Sequence, residues 1–154
     1  MKKNLVISLF LFLCPLCFYA QNGRFFSANA ELSSSLINDI HQDHNGIIWI
    51  ATEDGLNKYD GAKFETYKHK NKEPSSILNN YVKTIFEDRD HNLYFGFFNG
   101  LQVYDSGTDT FKSIPLSAEE NTSYDAHVTT ITQRANGELL VGTSGRGIFR
   151  LDKN

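Results

Sequence analysis

The sequence predicts an all-β chain of β-propeller blades, each a four-stranded antiparallel sheet, about three of them in an incomplete ring. Three observations carry this. A hairpin pattern returns about every 45 residues, the strand at its centre is apolar on both faces, and turn residues recur at fixed places between the strands. Small sheets covered on both faces and repeated at about 40–50 residues are what stacked blades require.

The clearest unit contains Ile47–Asp60, IIWIATEDGLNKYD, in which Asp54-Gly55 turns one strand into the next; Gly takes the positive φ of such a turn without steric penalty. The same pattern returns as NLYFGFFNGLQVYD (Asn92–Asp105) and ELLVGTSGRGIFRLD (Glu138–Asp152). A shift of 45 aligns Ile37–Asp60 with Val82–Asp105 without a gap, bringing Trp49 onto Tyr94, Gly55 onto Gly100 and Asp60 onto Asp105. A shift of 46 places Val128, Ile131, Leu139 and Val141 under Val82, Ile85, Leu93 and Phe95, and one extra residue near Gly145 makes it 47. Each unit reads as four strands, in the first Ile37–Gln42, Ile47–Thr52, Leu56–Tyr59 and Lys63–Tyr67. Asn45-Gly46 and Asn136-Gly137 mark the first turn of their units. The organisation expected is residues 1–20 as a signal peptide, 21–34 as an N-terminal strand and linker, 35–79 and 80–125 as two blades, and 126–154 as an incomplete third.

Met1–Ala20 has the layout of a secretory signal: Lys2 and Lys3, an apolar run from Leu5 to Leu13, and small Ala20 before Gln21. Leu5–Ala20 is 16 residues and is interrupted by Ser8 and Pro15, short of the roughly 20 needed to span a bilayer. Both cysteines, Cys14 and Cys17, fall in this segment, so the mature chain is cysteine-free and needs no disulfide framework. Without Lys2 and Lys3 the chain has 13 basic against 18 acidic residues, a balance that attracts neither nucleic acid nor an anionic membrane. Periplasmic location follows as the expectation.

The stretch DHNGIIWIATEDGLNKYDG resembles the two-component regulator propeller repeat, whose pattern is roughly D-x-x-G-x-[LI]-W-[IF]-G-T-x-x-G-L-x-x-[YF]-D. Ala51 stands where that pattern has Gly, Tyr94 and Phe97 stand for its Trp and Thr, and Leu140 for Trp in the third unit. The resemblance runs from Arg24 to Asp152. It implies the periplasmic sensor part of a hybrid two-component system of the Bacteroidetes type, sensing glycan fragments ahead of a histidine kinase. No kinase, receiver or DNA-binding motif is found in this chain. Gly23–Ser27 reads as an outer strand awaiting a ring, and the chain stops after the third strand of the third unit, as an N-terminal piece of a longer sensor would. Blade faces with residues such as Ile48, Ile50, Leu139 and Val141 are then expected to be partly bare, favouring further blades or self-association.

Several residue groups invite a chemical reading. Trp49 could stack on a sugar, but its counterparts Tyr94 and Leu140 mark a packing position. His41 and His44 suggest metal ligation, yet no third ligand follows at useful spacing, so no metal and no cofactor are expected. Asp43, Asp60, Asp88, Asp105 and Asp152 recur at equivalent points, as turn-forming Asp does. The run Lys68-His69-Lys70-Asn71-Lys72 reads as a solvated linker. The turns between second and third strands differ from unit to unit and share a rim with the inter-blade linkers 68–80 and 115–127. Ligand-binding candidates are therefore Glu53, Asp54, Phe97, Phe98, Asn99 and Arg146. Phe97-Phe98 is either a stacking surface or packing under a linker. The expected activity is binding of a small molecule or oligosaccharide without catalysis. A propeller enzyme of lyase or glycosidase type and a protein-interaction platform are the alternatives.

Overall fold

The computed structural model describes residues 31–116 and 126–152. The expected signal segment and the strand at Gly23–Ser27 lie outside the described residues. Among those described there are strands and no helix, in three antiparallel sheets that do not close a ring. The first is β1 (Ile37–Gln42), β2 (Ile48–Thr52), β3 (Gly55–Tyr59) and β4 (Phe64–Tyr67); the second is β5 (Val82–Glu87), β6 (Leu93–Phe97), β7 (Gly100–Asp105) and β8 (Thr110–Ile114). The third has β9 (His127–Gln133), β10 (Leu139–Ser144) and β11 (Gly147–Leu151). Each sheet is a meander in chain order.

Equivalent residues pair in equivalent registers. Ile40 faces Ile50, Ile85 faces Phe95, and Ile131 faces Val141 across the first two strands of the three sheets. Ile50 with Asn57, Phe95 with Gln102, and Val141 with Phe149 repeat this across the next pair. In strands buried on both faces a one-residue slip would only exchange one apolar face for the other, so the register is fixed by the short turns that pair Thr52 with Gly55 and Phe97 with Gly100. The extra residue of the third unit is absorbed in the turn between Thr143 and Gly147, which leaves that register intact. Every first strand also carries an irregularity near its start, beside Ile37/Asp39, Val82/Thr84 and opposite Gly142/Thr143.

The sheets stack face to face, the second and third each packing their first strand against the sheet before them. Trp49, Ala51 and Leu56 of the first sheet pack with Ile85, Leu93, Phe95 and Phe97 of the second. Tyr94 and Phe86, pointing the other way, pack with Val128, Ile131 and Val141 of the third. Asp39 ties the first seam: its Oδ2 accepts from Thr84 Oγ1 at 3.1 Å and from the Ile85 amide at 2.8 Å. At the second seam the Val128 side chain sits directly on the Gly96 backbone: a Cβ on Gly96 would lie 2.6 Å from Val128 Cγ1, and 2.7 Å from Cγ2 of Thr84 on the neighbouring strand.

One expectation is corrected. Ile50, Leu139 and Val141 are buried and Ile48 is half-buried. The exposed apolar surface falls instead on Leu36, Ile37 and Ile40 at the first strand and on Ile148 at the last. A side chain on a central strand is flanked on its own face by two neighbouring strands. Ile40 (61% exposed) and Ile148 (73%) sit on edge strands and are flanked on one side.

Candidate functional site: the turn rim

The turn after the second strand is built by the sequence itself. Thr52 Oγ1 donates to Gly55 O at 2.8 Å and accepts from the Asp54 amide at 3.1 Å; Thr143 Oγ1 repeats the first bond to Gly147 O at 2.8 Å. Gly55 has φ +121°, and its amide donates to Asn80 O at 2.7 Å, so the turn and the following linker meet at one end of the stack. Asp54 reinforces this: Lys68 Nζ lies 2.7 Å from its Oδ2, and Asn80 Nδ2 donates to its Oδ1 at 3.0 Å. The Asp54 carboxylate thus ties turn to linker, while Glu53 stands exposed beside it. His69, in the run expected to be solvated, is held as well, its amide donating to Asn80 Oδ1 at 2.7 Å.

In the second sheet the two phenylalanines part company. Phe97 replaces the turn threonine and is fully buried in the first seam. Phe98 is 55% exposed, with its ring 4.9 Å from that of His127 and 6.4 Å from that of Tyr81. Beside them Asn99 Oδ1 and His127 Nε2 are buried without a hydrogen-bond partner among the described residues. Phe98 and Asn99 are therefore brought together with Tyr81 and His127, whereas Glu53, Asp54 and Arg146 stand on the corresponding turns of the other sheets. Sequence reasoning had not singled out Tyr81 or His127. The signal was available, because both occupy the repeat position of Leu36, at the entry to the first strand: Tyr81 immediately before β5 and His127 as the first residue of β9.

The linkers behind the rim are held from inside. Asn57 and Gln102, equivalent residues of the third strands, are both fully buried. Asn57 Oδ1 accepts from the Ser33 amide at 2.9 Å, and Gln102 Oε1 from the Leu78 amide at 2.8 Å. Ser33 and Leu78 are themselves equivalent, so one device positions both incoming linkers.

Other titratable groups serve the frame. Asp43 Oδ2 accepts from Trp49 Nε1 at 2.9 Å and its Oδ1 from the Asn45 and Ile47 amides, which places the tryptophan in the core. Asp88 repeats this with Asn92, the Asp90 amide and Tyr94. Burial, with Asp88 beside it, pushes the Tyr94 hydroxyl up to about 12. Asp60 is held below the usual carboxylate range by the Lys63 and Ala62 amides, and Asp105 by Lys112. Lys58 lies among Trp49, Tyr67 and Tyr104, its Nζ 5.5 Å from the Trp49 ring centre. Burial pulls the Lys58 amine down, but the hydrogen bond to Tyr104 and the charges of Asp109 and Glu65 carry it above its ordinary value. One statement from spacing alone needs correction: the structure does bring further ligand types to His41 and His44, namely Glu87 and His91 of the second sheet.

Comparison with known proteins finds the same architecture. The family model described as two component regulator propeller matches residues 31–54 and 76–99. A protein of Formosa agariphila named Histidine kinase P4 is 42% identical over 62 residues, 38% of this chain and 4% of its own length. An extracellular domain assigned to a hybrid two-component system of B. thetaiotaomicron superposes with TM-score 0.72 at 30% identity, over 84% of this chain and 18% of that one. Another from that organism, assigned to a one-component system, gives TM-score 0.64 at 20% identity, over 76% and 15%, a likeness of fold. The chain spans a small part of the length of each.

Proposed function

Because this chain carries two-component regulator propeller repeats, we propose that it belongs to the exported, ligand-sensing propeller of a two-component sensor. The ligand class is carbohydrate, and the docking surface is the rim around Phe98. The carrying observation is an exposed aromatic ring next to buried polar atoms that no described residue satisfies. A pyranose offers a C–H face that stacks on an aromatic ring and hydroxyls that both donate and accept. Asn99 Oδ1 is an acceptor and His127 Nε2 a second polar atom that such hydroxyls would satisfy once a side-chain rotation at the rim uncovers them.

Periplasmic location rests on the basic-apolar-small layout of Met1–Ala20 and is supported by the extracellular neighbours. N-terminal sequencing of the protein from its native host should begin at Gln21; retention of Met1 in the cytoplasm would overturn this. Exposed Ile40 and Ile148 on the two outer sheets support further blades, or a second copy, as covering partners. Calorimetry of the full chain against a panel of oligosaccharides tests the binding reading. Saturable heat that disappears in Phe98→Ala, with the sugar recovered intact, is the expected result. Turnover of the sugar, or binding unchanged in Phe98→Ala, would sink it.

A further inference from the structure

Away from the rim, three imidazoles and one carboxylate meet where the first sheet packs on the second. Glu87 Oε1 lies 2.6 Å from His44 Nδ1 and 3.1 Å from His91 Nδ1, and Glu87 Oε2 lies 3.2 Å from His41 Nε2. The His44 and His91 rings stack with centres 4.1 Å apart. The Glu87 side chain is largely buried while the imidazoles are open to solvent, and His44 and His91 line a groove of about 330 Å3. Burial raises the Glu87 carboxyl, but hydrogen bonds from His41, His44 and His91 outweigh it and hold the group ionised below its ordinary value.

The next seam shows how little of this the packing needs. There Gln133 stands at the position of Glu87 and accepts from the Arg89 amide at 3.1 Å, as Glu87 accepts from the His44 amide at 3.1 Å. A neutral amide does the same job, with Arg89 at the position of His44. Glutamine also donates to its own turn, Gln42 to Gly46 O and Gln133 to Gly137 O, a bond that a carboxylate cannot make. His91 occupies the position of those glycines. It has φ +66°, against +83° at Gly46 and +93° at Gly137, a left-handed conformation that costs an L side chain energy. The charge, the imidazoles and the strained backbone are thus all additions to a seam that closes without them.

We propose that His44, Glu87 and His91 form a binding site for a divalent transition-metal ion of the zinc type, with His41 orienting the Glu87 carboxylate. Two imidazoles and one carboxylate, with a position left open, are a zinc donor set of three protein ligands. The donor atoms lie within 4.8 Å of one another. Tetrahedral bonds of about 2.0–2.1 Å hold donors about 3.3 Å apart, a spacing that small rotations of the two exposed rings reach. Each ring must offer a lone pair at Nδ1. The proton it shares with Glu87 therefore leaves or resides on Nε2, and ion uptake competes with protons. His41, on the other carboxylate oxygen, then holds Glu87 in one orientation.

Calorimetric titration of the full chain with zinc chloride, and with cobalt chloride read by its visible absorption, tests this. Expected is saturable uptake at this site that falls at least about ten-fold in affinity in both Glu87→Gln and His91→Gly. Both substitutions install what other units of the same chain carry; His91→Gly relieves the strained φ and should melt no lower than the parent without metal, while Glu87→Gln should stay folded and lose only what its ionised carboxylate contributes. Ion held elsewhere, at Cys14 and Cys17 for example, would survive both substitutions. No saturable uptake, or uptake unchanged in both variants, would overturn the proposal.

Discussion

Replacing Gln102 with leucine removes the device that fixes the linker behind the rim while keeping nearly the same volume. Gln102 is 1% exposed and makes two bonds to the linker, accepting from the Leu78 amide at 2.8 Å and donating to Ser76 O at 3.2 Å. Its contact with Ser113 Oγ, at 3.4 Å, is weaker. A buried amide N–H left without an acceptor costs about 1–3 kcal/mol. The Ser76 carbonyl keeps a second lone pair and also loses its donor, while leucine gains some apolar contact. The balance is a loss of about 2–3 kcal/mol, or about 4–12 °C in midpoint for a chain of this size. Thermal denaturation followed by circular dichroism measures the shift. Trypsin provides a second reading, because Lys70 and Lys72 lie in the released linker and should be cut faster. A Gln102→Leu protein that melts and resists trypsin like the parent would show that the linker is held by something else.

Three further outcomes follow from the packing. Gly96→Ala should destabilise by about 1–3 kcal/mol, because the new methyl meets Val128 and Thr84 below 3 Å, and Gly142→Ala, with one Thr130 methyl in its way, should lose less; urea midpoints decide both. Burial raises the Asp109 carboxyl, but hydrogen bonds from Tyr104 and Tyr67 and the charge of Lys58 outweigh it and set it below its ordinary 3.8. A depressed carboxyl stabilises the fold above its unfolded value and loses that contribution as pH falls through the folded one, so Asp109→Asn should flatten stability between about pH 5 and pH 2. An unchanged acid limb would refute this. Native-state hydrogen exchange should show β9 and β10 opening more readily than β5 and β6. A groove of about 680 Å3, lined by Tyr94, Val103, Leu139 and Leu151 among others, runs between the second and third sheets, whereas Trp49, Phe95, Tyr104 and Phe111 fill the first seam. Equal protection in the two pairs would refute it.

The fold was legible because a propeller repeats its own instructions. Turn glycines, apolar runs and a period near 45 are local features, and each unit confirmed the last. Asp43 and Asp88 could be read as turn formers because their partners lie within six residues. What escaped lies between units. Glu87 and His91 reach His44 from a separation of 43 and 47 residues, across a seam that no spacing rule covers. Phe97 and Phe98 are adjacent and chemically identical, yet Phe97 closes a strand buried on both faces and Phe98 opens the exposed turn after it. Tyr81 and His127 carried a positional signal that means something only once their sheet is stacked on its neighbour.

Equivalent positions in one chain act as internal controls, and they separate what holds the stack from what is surplus to it. Asn57 and Gln102 differ by a methylene and serve equivalent linkers, so that position is structural. Leu36, Tyr81 and His127 share a place but not a chemistry, and the last two converge on Phe98. Tyr81 leads into the second sheet and His127 into the third. A ligand seated on Phe98 would therefore touch the entry residues of two consecutive sheets at once. A ligand shifts an equilibrium only by its differential affinity for two arrangements, and a site that spans the more open seam can have one. The first seam, filled at its centre by Trp49, Phe95, Tyr104 and Phe111, leaves less room for such a choice. On the proposed reading, a ligand at Phe98 would act on the more open second seam, and the filled first seam would keep the stack rigid.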